Sequence, residues 1–382
     1  MTKICFLSSA HPKFDKRVFQ KEAVFLARSG HDVSHVCPDE TAETFEKDGV
    51  TVKTYCRRGG LWGRLVAMPK LFSLARREKA DALHANEFDS WIVALLVKFV
   101  SRTRVVFDVH EFYPSMFAET RMPSFLVRPT ESAFRLIYRL LGPRTDLIVL
   151  ANRYIRRDFP EKGSEIVMVE NFATLETVKK IETLELDRTP SDRLKLIHVG
   201  LMARERGSAV LPEAMELIDP GTASLSMIGR MTDIDNETYR QDIAARGLDD
   251  RIGVTDWLPY DELLRELVDA DVGIVFFQSG SETNAYGLPH KLFDYMAAGL
   301  PVLVSTHATY VAEIVTEVQC GVILDSEKPQ EIADAIKHLA ANRDEAKEYG
   351  RNGRAALAEK FNWESQIEKL DTFYRSLDTN KS

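Results

Sequence analysis

Twice along this chain, short apolar runs of strand length alternate with stretches that repeat apolar residues at helical spacing, and this restricts the fold more than any other feature. In the first half the runs are Lys3 to Ser8, His31 to Cys37, Ala82 to His84, Arg104 to Val109 and Leu147 to Leu150. Between the first two, Arg17 to Arg28 carries Val18, Phe19, Ala23, Phe25 and Leu26 as an amphipathic helix would, and Gly30 closes it. In the second half, strand-like Leu194 to Val199, Leu225 to Ile228, Ile252 to Val254, Val272 to Phe277 and Pro301 to Ser305 alternate with helical Ser208 to Ile218, Tyr239 to Arg246, Tyr260 to Val268 and Pro289 to Ala298. Such alternation gives a parallel, doubly wound sheet, so the expected fold class is α/β with two Rossmann-like domains. Ligands of these sheets bind beyond the carboxyl ends of the strands.

A length of 382 residues favours two domains over one. The polar stretch Val178 to Arg193, with Pro190 near its end, sets the expected junction, giving domains at 1–185 and 186–362. A last helix in 363–382 is expected to pack back on the first domain. Two successive units imply a cleft, a preferred place for a ligand.

Charge separates the halves. Residues 1 to 180 hold 29 Lys and Arg against 22 Asp and Glu, and the remainder 21 against 36, within a net charge of -8. A basic first half suits an anionic lipid or acceptor, or is a solvated surface with no partner. Tyr55 to Lys79 concentrates the basic residues, with Trp62, Leu65, Met68 and Phe72 at helix-like spacing. That is the pattern of a helix lying on a membrane surface, or of one facing the core, and Pro69 is expected to interrupt it. No apolar run reaches the ~20 residues of a membrane-spanning helix, and the N-terminal residues lack the pattern of a signal peptide. Cys5, Cys37, Cys56 and Cys320 have neither metal nor redox spacing. The expected location is therefore the cytoplasm or the inner face of its membrane, and nucleic acid is not an expected partner.

The segment Glu282 to Val302, ETNAYGLPHKLFDYMAAGLPV, carries the most chemistry. Pro289 starts a helix of about ten residues, Gly299 follows its end and Pro301 stops it. Lys291 and Asp294 share one face, while Leu292, Phe293, Met296 and Ala297 lie toward the sheet. The helix N-terminus presents free amide groups, Gly287 permits close backbone approach, and Lys291 adds a charge, so a diphosphate suits the place. Asp294, with two acceptor oxygens, suits a pair of ribose hydroxyls. The plainer alternative is that Asp294 complements the helix dipole and Lys291 is solvated. The second segment is the strand Leu194 to Val199 running into Gly200, then Met202 to Gly207, where two arginines, Arg204 and Arg206, offer forks for phosphate oxygens.

Together these segments resemble the donor half of the retaining GT-B glycosyltransferases, especially the large family 4, whose glycine loop faces a second loop of the form GLP, acid, MAxGxPV. In the first half HPKFDKRVFQKEAVFLARSGHDV resembles that family's opening loop and helix, and DVHEFYP at Asp108 to Pro114 its central histidine loop. The resemblance implies Arg206 and Lys291 as diphosphate ligands, Asp294 as ribose ligand, and His110 against the donor sugar, with His110, Arg206 and Lys291 as the catalytic set. Gly200, Arg230, Trp257, Leu258, Glu282, Tyr286, Gly287, Leu288 and Pro289 complete the implied donor pocket, and His11, Asp15, Arg17 and Glu111 the acceptor side. For Asp15 and Arg17 the alternative is a helix cap and a mutual ion pair.

The implied reaction moves a sugar from a UDP- or GDP-sugar to a saccharide or lipid-linked acceptor, with retention and without a metal or other cofactor. Two positions depart from the family pattern. Tyr286 stands where an acid is common and Leu201 where an arginine is common. A sugar-nucleotide epimerase on the same fold, or a non-catalytic nucleotide-sugar-binding subunit, are the competing expectations.

Overall fold

A computed structural model of the chain describes residues 1–161, 163–184 and 191–379. The chain forms two compact units, Met1–Asn171 with Trp363–Ser382, and Phe172–Asn362. The expected junction at residues 185 and 186 lies outside the described residues. The division falls earlier because the helix Leu175–Thr183 packs on the helix His290–Ala298 of the second unit, and the ring of Phe172 lies 4.9 Å from that of Phe293.

The first unit holds an eight-stranded sheet: β1 (Lys3–Leu7), β2 (Asp32–Asp39), β3 (Thr44–Lys47), β4 (Val50–Cys56), β5 (Ala82–Ala85), β6 (Arg104–Val109), β7 (Leu147–Leu150) and β8 (Glu165–Met168). The order is β3-β4-β2-β1-β5-β6-β7-β8, parallel except where β3 pairs antiparallel with β4. Ile4 to Leu7 are all fully buried, as is all of β7, which is why these strands read as unbroken apolar runs. The last helix, Trp363–Thr379, belongs to this unit, with Trp363, Ile367, Leu370 and Tyr374 in the core beneath β1 and β5. Thr2 Oγ donates to the Tyr374 carbonyl at 2.8 Å.

The second unit is a six-stranded, wholly parallel sheet built from β9 (Leu194–Met202), β10 (Ala223–Met231), β11 (Ile252–Thr255), β12 (Val272–Val275), β13 (Val302–Ser305) and β14 (Gly321–Leu324), in the order β11-β10-β9-β12-β13-β14. In each sheet the connections diverge to opposite sides at one place, between β1 and β5 and between β9 and β12, and there the carboxyl ends open a crevice.

Two helices differ from the sequence reading. Lys16–Ala23 is wound as a π-helix, with an α-helical turn only over Val24–Arg28. The wider winding brings residues five apart onto one side, so Arg17 Nε reaches Glu22 Oε1 at 3.0 Å. Gly60–Glu78 runs unbroken through Pro69, anchored by buried Leu71 and Ala75. Its first turns turn apolar side chains outward: Trp62 is 80% and Val66 74% exposed. Among the described residues no helix is long and apolar enough to cross a membrane.

Candidate active site

In the second unit the crevice between β9 and β12 is closed by two turns. After β9 the chain makes a short 3-10 turn, Arg204–Arg206, and exits through Gly207 at φ 88°, a left-handed conformation. A Cβ at Gly207 would stand 3.0 Å from the Phe276 Cβ, so the turn lies flat on the segment following β12. The Gln278 amide donates to the Glu205 carbonyl at 2.7 Å and fastens the two together. Arg206 projects over the Phe277 ring, its guanidinium carbon 5.6 Å from the centroid, and remains partly exposed.

The second turn leads into the helix His290–Ala298, which has Pro289 at its N-cap and ends on Gly299 at φ 70°. Gly287 joins it to the short helix Glu282–Tyr286, and only glycine fits there, since a Cβ would meet the Thr283 carbonyl oxygen at 2.3 Å. Tyr295 anchors the helix to the sheet: its hydroxyl accepts from the Val199 amide at 3.0 Å, at the carboxyl half of β9. This holds Lys291 over the same strand, where Nζ lies 3.1 Å from Nε2 of the fully buried His198. Burial and the neighbouring Arg206 charge push the Lys291 ammonium down to about 7. Arg206 and Lys291 thus share one site, and Lys291 forms no ion pair among the described residues. Asp294, one turn on, accepts from the Tyr260 hydroxyl at 2.9 Å through Oδ1.

The remaining donor-side residues lie in and around this edge. Gly200 and Leu201 lie near the end of β9, and Leu201 stands in register with Arg230 near the end of β10. Arg230 is exposed, and Trp257, in the loop after β11, is 57% exposed. Leu258, Glu282, Tyr286, Leu288 and Pro289 are half-buried.

At the crevice of the first unit, Glu87 follows β5 and its carboxylate accepts from three successive amides of the loop after β1: Ser9 at 2.9, Ala10 at 2.9 and His11 at 3.0 Å. That carboxylate fixes the loop and brings the His11 ring to 5.3 Å from the His110 ring, edge to face. His110 follows β6, and its Nε2 lies 2.5 Å from Asp108 Oδ2. Asp108 is fully buried, and its second oxygen accepts from Arg17 Nη2 at 3.0 Å. Burial opposes its charge, but the Arg17 guanidinium and His110 hold the carboxyl well below the usual carboxylate range. Burial lowers His110 despite this partner, which favours a neutral imidazole. Burial and the Asp108 charge push Glu22 well above its ordinary value. His84 lies 3.5 Å from Glu22 and 3.6 Å from Asp108.

These contacts correct the expected role of Arg17. It is 6% exposed, held by Asp108, Glu22 and the Val169 carbonyl, and cannot face an acceptor. Asp15 caps the π-helix, accepting from the Arg17 amide at 2.8 Å and the Val18 amide at 2.9 Å, and its carboxylate lies 3.4 Å from His11. His11 is half-buried and Glu111 exposed. Glu22, His84 and Asp108 have the spacing of metal ligands, but the Arg17 guanidinium already serves as their cation.

Comparison with known proteins decides the family. Residues 16–171 match the model of the glycosyl transferase 4-like domain, and residues 182–356 that of glycosyl transferases group 1. The chain belongs to the GT-B glycosyltransferases. Among solved structures, a glycosyltransferase from Rickettsia africae ESF-5 superimposes with a TM-score of 0.76 at 14% identity, covering 99% of this chain and 98% of that one. Sucrose-phosphate synthase from Thermosynechococcus elongatus does so with a TM-score of 0.74 at 18% identity, covering 99% and 100%.

Curated relatives include the GDP-mannose-dependent alpha-(1-6)-phosphatidylinositol monomannoside mannosyltransferase of Mycobacterium tuberculosis, 23% identical over 64% of this chain. The chain spans 65% of that enzyme's length. The putative glycosyltransferase YtcC of Bacillus subtilis is 26% identical over 80% of this chain and 77% of its own.

Within this glycosyltransferase, sequence reasoning missed His198, Tyr260, Glu22 and Asp108 as parts of the two sites. The signal for Asp108 and Glu22 was an acid inside or beside an apolar run, where a carboxylate persists only with a partner.

Proposed function

We propose that this glycosyltransferase moves a sugar from a nucleoside-diphosphate donor to a hydroxyl of a saccharide or lipid-linked acceptor, with retention of anomeric configuration, in assembly of cell-surface polysaccharide or glycolipid. One observation carries the reading: Lys291 and Arg206 converge at the carboxyl edge of a parallel sheet beside a helix N-terminus, with no carboxylate paired to Lys291 among the described residues. Positive charge gathered there suits the charge that develops on a departing diphosphate, and this chain's own side chains supply it without a metal. Asp294 and Trp257 are assigned to the ribose and base, and His110, oriented by Asp108, to the donor sugar. The acceptor hydroxyl attacks the anomeric carbon from the face the phosphate leaves, the carbon–oxygen bond to the phosphate breaks, and a phosphate oxygen takes the hydroxyl proton.

The mycobacterial relative is named for GDP-mannose and the Anabaena HepE structure was solved with UDP, so both bases are tested. The exposed Trp62 and Val66, among Arg57, Arg58 and Lys70, support contact of the first unit with an anionic membrane. The test is a thermal-shift screen of UDP, GDP and their sugars, in chelator. A true donor at 100 times its Kd adds about 2.7 kcal/mol of stability. If no activated sugar shifts the transition, the reading fails.

A further inference from the structure

The polar contact under the proposed diphosphate site involves a histidine set among apolar residues of a buried strand. His198 sits in β9 between Ile197 and Val199, fully buried, with Lys291 as its neighbour across the helix–sheet interface. The site gathers three basic groups, the fully buried His198 and the half-buried Lys291 and Arg206. Among the described residues no carboxylate pairs with Lys291 or His198. Asp294, on the same helix, is held by Tyr260 of the Tyr260–Asp269 helix, and Glu205 stands 4.0 Å from Arg206 and is largely exposed.

Among the described residues, the other elements packed on the His290–Ala298 helix form no ion pair with Lys291. In Leu175–Thr183, Lys180 pairs with Glu176 and Asp261. In Arg343–Glu359, Arg354 pairs with Glu182. β12 has no titratable side chain. Three basic groups that close, without an anion, are accommodated by leaving some of them uncharged.

We propose that a diphosphate enters this site together with one proton, which Lys291 takes up, and that His198 is the positioning residue that accepts a hydrogen bond from the resulting ammonium and aims it at the phosphate. This rests on the proposed nucleotide-sugar reading. In the free protein above about pH 7 the lysine is mainly the neutral amine, consistent with the effect of burial and Arg206. When the diphosphate arrives, its negative charge restores the favourable partner, the amine takes a proton from solvent, and the ammonium donates to a phosphate oxygen and to His198 Nε2. No bond other than N–H is made. Departure of the nucleoside diphosphate after transfer returns the proton, so a rising pH weakens binding of donor and product alike.

The experiment is calorimetric titration of the full chain with UDP, GDP and inorganic pyrophosphate, in two buffers of different ionisation enthalpy. At about pH 8 the heats are expected to differ by nearly one proton taken up, at about pH 6 by a small fraction of one, and affinity to fall about tenfold per pH unit above about 7. Lys291→Arg, whose guanidinium keeps its proton, is expected to abolish the uptake while still binding. His198→Phe is expected to move the pH midpoint of binding downward, whereas a purely structural role would weaken binding equally at every pH. Equal heats in both buffers with measurable binding, or a His198→Phe profile parallel to the parent's, overturn the proposal and leave the nucleotide-sugar reading intact. Failure of all three ligands to bind overturns both.

Discussion

Nε2 of His110 donates to Oδ2 of Asp108 across 2.5 Å, while the other Asp108 oxygen is held by Arg17. An acceptor that close fixes the tautomer, leaving Nδ1 of the neutral ring without a hydrogen. The carboxylate therefore has two duties: it orients His110 and neutralises a buried guanidinium.

Asp108→Asn should damage both. Stability is expected to fall by about 3–5 kcal/mol, the usual cost of leaving one member of a buried ion pair alone. Loss of His110 orientation should lower kcat/KM by about 10²-fold at temperatures where the variant is folded. Chemical unfolding and initial-rate kinetics separate the two effects.

Acid should weaken the first unit in a defined window. His35 is fully buried, and burial pushes its imidazole down to about 4 from an ordinary 6.5. The folded ring stays neutral where the unfolded ring takes a proton, so stability present above about 6.5 is lost as pH falls toward about 4, and no more is lost below. Burial moves His84 and His110 the same way, so unfolding free energy in His35→Asn should show a flatter, though not flat, dependence on pH.

Lys291→Met should stabilise the chain while removing nucleotide binding, because it replaces a desolvated cation by a flexible apolar side chain. A gain of roughly 0.5–2 kcal/mol is expected. The gain is largest below about pH 7, where the folded lysine is charged, and shrinks as pH rises and the amine loses its proton. Thermal unfolding at several pH values checks it.

Gly273 is a spacer for the Tyr295 ring. A Cβ at this position of β12 would come to 2.4 Å from Tyr295 Cδ2, so Gly273→Ala should cost about 1–3 kcal/mol and disturb the helix that carries Lys291. Denaturant unfolding measures the cost, and weaker binding of nucleotide reports the displaced helix.

The proposed membrane contact predicts that Trp62→Glu with Val66→Glu abolishes binding to vesicles containing phosphatidylglycerol. Because both side chains are exposed, 80% and 74%, the thermal midpoint should not change. Flotation assays on the parent and the double variant decide the matter.

The fold was legible where burial on both faces writes an unbroken apolar run, as in Leu147–Leu150, and where punctuation is chemical, as at Pro289 and Gly299. Strands such as Thr44–Lys47 and Glu165–Met168 were not, because they edge the sheet and carry polar side chains. The proximity of Arg206 and Lys291 was available from the two loops read as a pair. Arg17 was expected on the acceptor side and Glu22 carried no expected role, because the pairing of residues five apart depends on the π-helical winding. Likewise, nothing local tells that the hydroxyl of Tyr260 will reach Asp294, since the partners are joined only once two helices pack.

The return of the chain at Trp363 has a consequence for synthesis. β1 is sheathed by Ile367, Leu370 and Tyr374, which are translated only after the whole of the second unit. The second unit has its whole sequence available earlier, so it closes its core while the first still waits for its final helix.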